Sequence, residues 1–308
     1  MKLIRRAGSY FLTLLALTFV VFGLMYLAPG DPAEKRLLSQ GIAVTREMLT
    51  AERERLGLFR PFLTRFGEWL FAVLRGDLGV SFKDDLPVLP KLLAALQNTA
   101  ILAGASLALS LLVAFPLSIL CAYRKGRLSD HVIGLFSFLG NSLPSFLLSV
   151  LLMYFLCIRI DLFPVIATGD FSGLILPVLS LAIPMTGRFI RLFRAELLLQ
   201  LSMEYVTGLR NRGLKERYII RNILHNALGH LLVLIGLQIG SLFSGSVVIE
   251  TIFRWPGIGK LVMDAITARD YPVIQGFVLL IGAIYLLINQ LTDVVMKKLD
   301  PRIEVRYD

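Results

Sequence analysis

The sequence predicts an all-α membrane protein with six transmembrane helices and a long extracytoplasmic segment between the first two. Three observations lead there. Of 308 residues, 56% are hydrophobic and only 18% charged, outside the usual range of soluble domains. Apolar runs long enough to cross a bilayer, about 20 residues as a helix, recur along the chain. The basic residues sit between those runs rather than on one face or in one domain, so the net charge of +10 speaks for membrane topology and against nucleic acid.

The first run extends from about Tyr10 to Leu27, after the basic start Lys2, Arg5 and Arg6. It exceeds the roughly 7 to 15 residues of a signal-peptide core. It also ends in Ala28-Pro29-Gly30-Asp31-Pro32 without a small-x-small cleavage site, so it reads as a retained helix.

The segment from about Gly30 to Lys91 has nearly balanced charge and is long enough to be translocated whatever its charge. Its composition places it outside. Within it, Thr45 to Leu56 reads as a short amphipathic helix with Thr45 as N-cap and Glu47 and Glu52 near its start, where acidic groups are favourable. A second helix is predicted over Phe62 to Leu74. This region is either a docking surface or a cover over helix ends.

Further spans are predicted at about Thr99 to Tyr123, Val132 to Cys157, Gly173 to Phe189, Leu231 to Ile252 and Val273 to Val295, so both termini share one side. Arg124, Lys125 and Arg127 follow the second span. Arg188, Arg191, Arg194, Arg210, Arg212, Lys215, Arg217 and Arg221 follow the fourth, and Lys297, Lys298 and Arg302 the sixth. The positive-inside rule makes these stretches, and both termini, cytoplasmic. The expected division is 1–95 for the first span and outer segment, 96–296 for a five-helix core with an inward loop at about 190–229, and 297–308 for a tail.

Pro116, Pro144, Pro177 and Pro184 fall in or near spans, where each removes a backbone hydrogen bond and tends to bend the helix. Asn141 and Ser142 precede Pro144; Gln238, Ser241, Ser244 and Ser246 mark the fifth span. Polar groups at that depth face either an aqueous path or a neighbouring helix. Cys121 and Cys157 form no CxxC pair and read as small buried residues, with no disulfide framework or metal site.

The inward loop from Gln200 to Gly229 reads as two short helices. Ser202 can cap the first, Gly213 can supply the left-handed turn that stops it, and Leu214, Tyr218 and Ile219 give the second an apolar side. Taken alone, such a pair could bind DNA or lie near anionic lipid; its place on a membrane core favours neither.

Glu204-Tyr205-Val206, with Arg210-x-Arg212-Gly213-Leu214 after it, resembles the EAA motif of binding-protein-dependent ABC permeases, in the form of the dipeptide, oligopeptide and nickel branch. The likeness covers nearly the whole chain. Pro29-Gly30-Asp31-Pro32, Gly76-Asp77-Leu78-Gly79 with Ser81, and Leu143-Pro144-Ser145-Phe146 resemble the same branch. So does Gly245 to Gln275, with Glu250, Phe253, Pro256, Gly257, Gly259, Asp270, Pro272 and Gln275 at the family's spacing. Asn226-Ala-Leu-Gly-His230 departs from it, since many relatives have Asn-Ala-Leu-Leu-Pro there.

The resemblance implies a type I ABC importer permease fold and a subunit that moves nickel, a metal chelate or di- or oligopeptides. It implies a second homologous permease, two ATP-binding-cassette ATPases and an extracytoplasmic solute-binding protein as partners, alongside membrane lipid. Glu204, Tyr205, Val206, Gly208 and Gly213 would form the ATPase-coupling loop. Asn141, Pro144, Gln238, Glu250, Pro256, Gly257, Gly259 and Asp270 would be path or motif positions. No catalytic residue, metal ligand or cofactor is expected in this chain, and ATP with Mg would be held by the partners.

Gly257-Ile-Gly259-Lys260 looks like the end of a phosphate-binding loop. However, Arg254 stands where the loop's first glycine belongs and Leu261 where a Ser or Thr belongs. A secondary transporter driven by an ion gradient remains the alternative, although the spans hold almost no ionisable relay. A membrane-bound enzyme is the other, with His131, His225 and His230 forming no metal-spacing pair.

Overall fold

The computed structural model describes residues 2–41, 44–164 and 171–299. Twelve α-helices run through them: α1 (Lys2–Leu27), α2 (Pro32–Ser39), α3 (Arg46–Arg55), α4 (Phe62–Leu74), α5 (Val88–Tyr123), α6 (Leu128–Ser142), α7 (Ser145–Leu152), α8 (Phe171–Leu201), α9 (Glu204–Asn211), α10 (Glu216–Phe253), α11 (Ile258–Ala268) and α12 (Tyr271–Leu299). Residues Met153–Arg159 continue α7 as a π-helical stretch. Segments of α1, α5, α8, α10 and α12 are long and apolar enough to cross a membrane, and α6 with α7 and its extension makes a sixth span if the bent pair is counted as one.

The third span is therefore not the single helix expected over Val132 to Cys157. It breaks by 97° between Ser142 and Ser145. Pro144 lacks the N–H an α-helix needs and excludes helical geometry from the residue before it, and Leu143 is extended at φ −82° and ψ 125°. Pro116, Pro177 and Pro184 instead lie inside α5 and α8. The fifth span also differs, since the second loop helix and the span form one helix of 38 residues from Glu216. Two short helices, α2 and α11, were not foreseen. The terminal stretch 300–308, with Arg302, lies outside the described residues.

The chain packs as two units. One comprises residues 1–99 and 256–287. Its core joins Leu78, Val88, Leu92 and Ala95 to Ile258, Ala265 and Val273. Helix α4 lies on α1 through edge-to-face rings: Phe19, Phe22 and Tyr26 meet Phe62 with centroids 5.2–5.5 Å apart, a geometry worth about 0.5–1.5 kcal/mol per pair beyond area. Asp31 caps α2, accepting from the Ala33 N–H at 2.9 Å with Pro32 in the first turn. Thr45 caps α3 as expected, accepting from Met48 at 3.3 Å. Arg36, only 5% exposed, ties α2 to Glu52 at 3.1 Å and to Asp85.

The second unit comprises residues 100–255 and 288–308, described through Leu299. Its core holds Phe189 stacked on Phe193 at 5.1 Å, with Leu181, Ile223, Ile249 and Phe253 around them. Cys121 and Cys157 are both buried thiols. Helices α6 and α8 approach at backbone distance: a Cβ added to Gly187 would collide with the Ser137 carbonyl, and one on Gly140 would sit 3.4 Å from the Ile183 carbonyl. Glycine at both positions permits that approach, as small residues do between membrane helices.

Candidate functional site

Helix α9 lies in the connection between α8 and α10. Glu204 opens it, with its charge in the first turn where the helix N-terminus favours an anion. Ser202 does not cap it. The N-cap is Met203, without a side-chain bond, because the Ser202 hydroxyl donates to the Leu199 carbonyl at 2.7 Å and closes α8 instead. Gly213 follows the Arg212 C-cap at φ +73°, the left-handed turn expected of it.

One side of α9 holds the helix down. Val206 is fully buried in the cluster of Ile219, Ile223 and Leu197, and the Tyr205 hydroxyl donates to Gln200 Oε1 at 3.1 Å. Arg210 pairs with Glu216 at 3.2 Å, linking α9 to the start of α10. The other side is free within this chain: Glu204, Thr207, Gly208 and Asn211 are exposed, and a Cβ at Gly208 would meet nothing within 4 Å. A glycine inside a helix costs about 1 kcal/mol relative to alanine. No neighbour among the described residues requires it.

A second polar constellation lies among the long helices of the same unit. The Arg188 guanidinium donates through Nε to Asn141 Oδ1 at 3.2 Å and through Nη1 to Gln238 Oε1 at 2.8 Å, joining α8 to α6 and α10. Ser241 donates to the Gln238 carbonyl at 2.8 Å. Arg188 is itself exposed, both of these partners are neutral acceptors, and no carboxylate pairs with it among the described residues. Sequence reasoning found Asn141 and Gln238 but counted Arg188, at the very end of the predicted fourth span, with the loop cations, whereas α8 carries it well inside a helix that runs to Leu201.

The remaining predicted positions have other surroundings. Pro144 starts α7 at the break, and Glu250 is fully buried in α10. Pro256, Gly257, Gly259 and Asp270 belong to the first unit. There the Asn98 amide donates to the Pro256 carbonyl at 2.9 Å. Gly257 is the N-cap of α11 and Gly259 is buried in its first turn. The Ile258 N–H donates to Thr99 Oγ1 at 2.8 Å. The Asp270 carboxylate, 2% exposed, accepts from the Ser81 hydroxyl and, at 2.8 Å, from the Phe82 N–H. These residues anchor the α11–α12 corner.

Sequence reasoning also missed the ion pair that joins α6 to α8. Arg194 of α8 grips Asp130 of α6 through two hydrogen bonds of 2.8 and 2.7 Å, and Asp130 also accepts from the Gly126 N–H at 3.0 Å. The two residues are 64 positions apart, and no local pattern joins them. Among the described residues, no group of three or more His, Cys, Asp or Glu side chains is placed to hold a metal ion. His230, the last residue of the segment that departs from the family pattern, stands 3.8 Å from Glu196.

Residues 114–305 match the family described as binding-protein-dependent transport system inner membrane component. Residues 1–103 match the N-terminal region of such membrane components. A nickel import system permease protein, NikB, of Staphylococcus aureus is 37% identical over 302 residues, 98% of this chain and 91% of that protein. The same protein from another strain is 36% identical over the same shares. Among solved structures, the inward-facing MetNI methionine ABC transporter is similar with a TM-score of 0.56 at 16% identity, covering 69% of this chain and 97% of that one.

Proposed function

The chain belongs to the binding-protein-dependent transport system inner membrane component family, the permeases of ATP-driven importers in bacterial cell membranes, and from that premise we propose its substrate, partners and coupling. The chain forms a translocation path with a second, homologous permease. Two ATPase subunits hold ATP and Mg, and an extracytoplasmic binding protein delivers the solute. Both termini, the α5–α6 turn and α9 face the cytoplasm, in keeping with the basic residues at those places; the segment between α1 and α5 faces outward.

Helix α9 is the coupling element. The observation that carries this reading is Gly208, a helical glycine on an exposed face with open space above it. Such a position admits the close approach of another chain's backbone. Val206, Tyr205 and the Arg210–Glu216 pair tie α9 to α8 and α10. Movement of a docked ATPase would therefore pass to both long helices as a rigid displacement.

The solute is a metal chelate or a di- or oligopeptide. Its nickel alternative rests on the Staphylococcus relatives, and Arg188 bears on the choice. A bare divalent cation near an exposed guanidinium meets like charge, whereas a carboxylate of a chelator or peptide meets an unneutralised donor.

The test is uptake of radiolabelled nickel, with and without a small chelator, and of a labelled oligopeptide, in cells lacking the chain and in cells with it restored. Chelator-dependent nickel uptake, or peptide uptake, that requires the chain supports this reading. Uptake of neither overturns the substrate assignment, and uptake surviving ATP depletion but not loss of the ion gradient overturns the energy source.

A further inference from the structure

In the first unit, α3, α4 and the start of α12, with Phe22 and Phe82, line an open cleft of about 320 Å³. Among the described residues, three side chains on its wall carry donors without a protein acceptor. Arg65 lies with its guanidinium 5.7 Å from the centroid of the Phe22 ring and makes no ion pair among the described residues. Burial pushes its pKa below the ordinary arginine value. The indole N–H of Trp69 is buried with no partner among the described residues. Gln275, 6% exposed, makes no side-chain hydrogen bond among the described residues.

A buried donor without an acceptor is unfavourable, and the Trp69 indole N–H is one; with the half-buried Arg65 guanidinium and the Gln275 amide on the same wall, it asks for an acceptor-rich occupant. Charge narrows the class. Arg60 on the wall is already paired with Glu68 at 2.8 Å, and Arg55 with Asp85 at 2.8 Å. Among the described residues Arg65 is thus the wall cation without a carboxylate partner, and Glu54 adds a carboxylate to the same wall. One spare positive charge beside a negative one suits a monoanion and disfavours a phosphate dianion. The volume sits at the small end of ligand cavities, roughly 300–1,000 Å³, which fits a compact solute.

We propose that this cleft binds the carboxylate of a small solute, with Arg65 matching its charge and the Trp69 indole and Gln275 amide donating to its oxygens. Gln275, one of the family-spaced positions, thereby gains a role distinct from the corner formed by Asp270. The inference goes beyond the transport reading, because occupancy is measured without turnover, and either can fail alone.

The experiment uses the assembled transporter in phosphatidylcholine nanodiscs, titrated with sodium acetate, inorganic phosphate or sodium chloride at constant ionic strength. The part of the tryptophan emission change that Trp69→Phe lacks isolates the site. A saturable response to acetate is expected, with phosphate weaker and chloride silent. Arg65→Gln should weaken acetate binding by about tenfold, the loss of one charge-assisted bond, and Arg65→Lys should keep most of it. Should Arg65→Gln fail to assemble, Gln275→Leu carries the same expectation of weakened binding. No saturable response, an equal response to chloride, or tighter binding of phosphate overturns the proposal. A response seen only in phosphatidylglycerol nanodiscs also overturns it and reassigns the cleft to a lipid headgroup.

Discussion

Gly187 of α8 lies so close to the Ser137 carbonyl of α6 that no side chain fits between them. The next residue on α8, Arg188, reaches Asn141 one turn along α6. The close approach and the polar cluster are therefore one arrangement. Gly187→Ala should force the helices apart, an overpacking cost of about 1–3 kcal/mol. It should lengthen the Arg188–Asn141 bond and lower both thermal stability and uptake. Unchanged melting in detergent would show that the approach carries no strain-sensitive packing.

Asp130 is 8% and Arg194 32% exposed, with two-pronged geometry. Breaking such a pair leaves the buried partner uncompensated and costs about 3 kcal/mol. Arg194→Met should be destabilised by about that amount, and Asp130→Asn with Arg194→Met should recover part of it. Melting temperatures of the two single variants and the double measure the coupling; additive losses would refute it.

The docking role proposed for Gly208 can be tested apart from folding. With nothing near its Cβ, Gly208→Ala should insert normally and raise α9 stability by up to about 1 kcal/mol. Gly208→Leu should also insert normally, yet lose most uptake and most stimulation of ATP hydrolysis by the binding protein. Parent-level uptake with Gly208→Leu rules out a docked partner at this face.

Asp85 is held down to about 2, first by the hydrogen bond from Arg36 and then by that from Arg55. An unfolded carboxylate titrates near 3.9. A lowered folded pKa means stability present in full above about pH 4 and lost as pH falls toward 2. Hydrogen exchange in α2 and α3 should thus accelerate between about pH 4 and 2. Asp85→Asn, which tolerates the local φ of +57°, should flatten that dependence and speed exchange at neutral pH. A parent-like acid profile in the variant would assign the effect to another group.

By itself the sequence determined the helical membrane class, the approximate spans, the Thr45 cap and the Gly213 turn. Each of these follows from composition or from residues within a few positions of one another. The existence of a short helix at α9 was legible for the same reason, although not its N-cap. Where helices end was less so: α8 and α10 run past their apolar stretches, because backbone hydrogen bonding continues into polar sequence without regard to hydropathy. Only the tertiary structure brought Arg188 to Asn141 and Gln238, Arg194 to Asp130, and Arg65, Trp69 and Gln275 to one cleft. Those partners come from helices far apart in the chain, and their meeting depends on a 97° break at Pro144, a glycine contact and the packing of aromatic rings. Such choices are settled by the three-dimensional fit of surfaces, which no local pattern encodes.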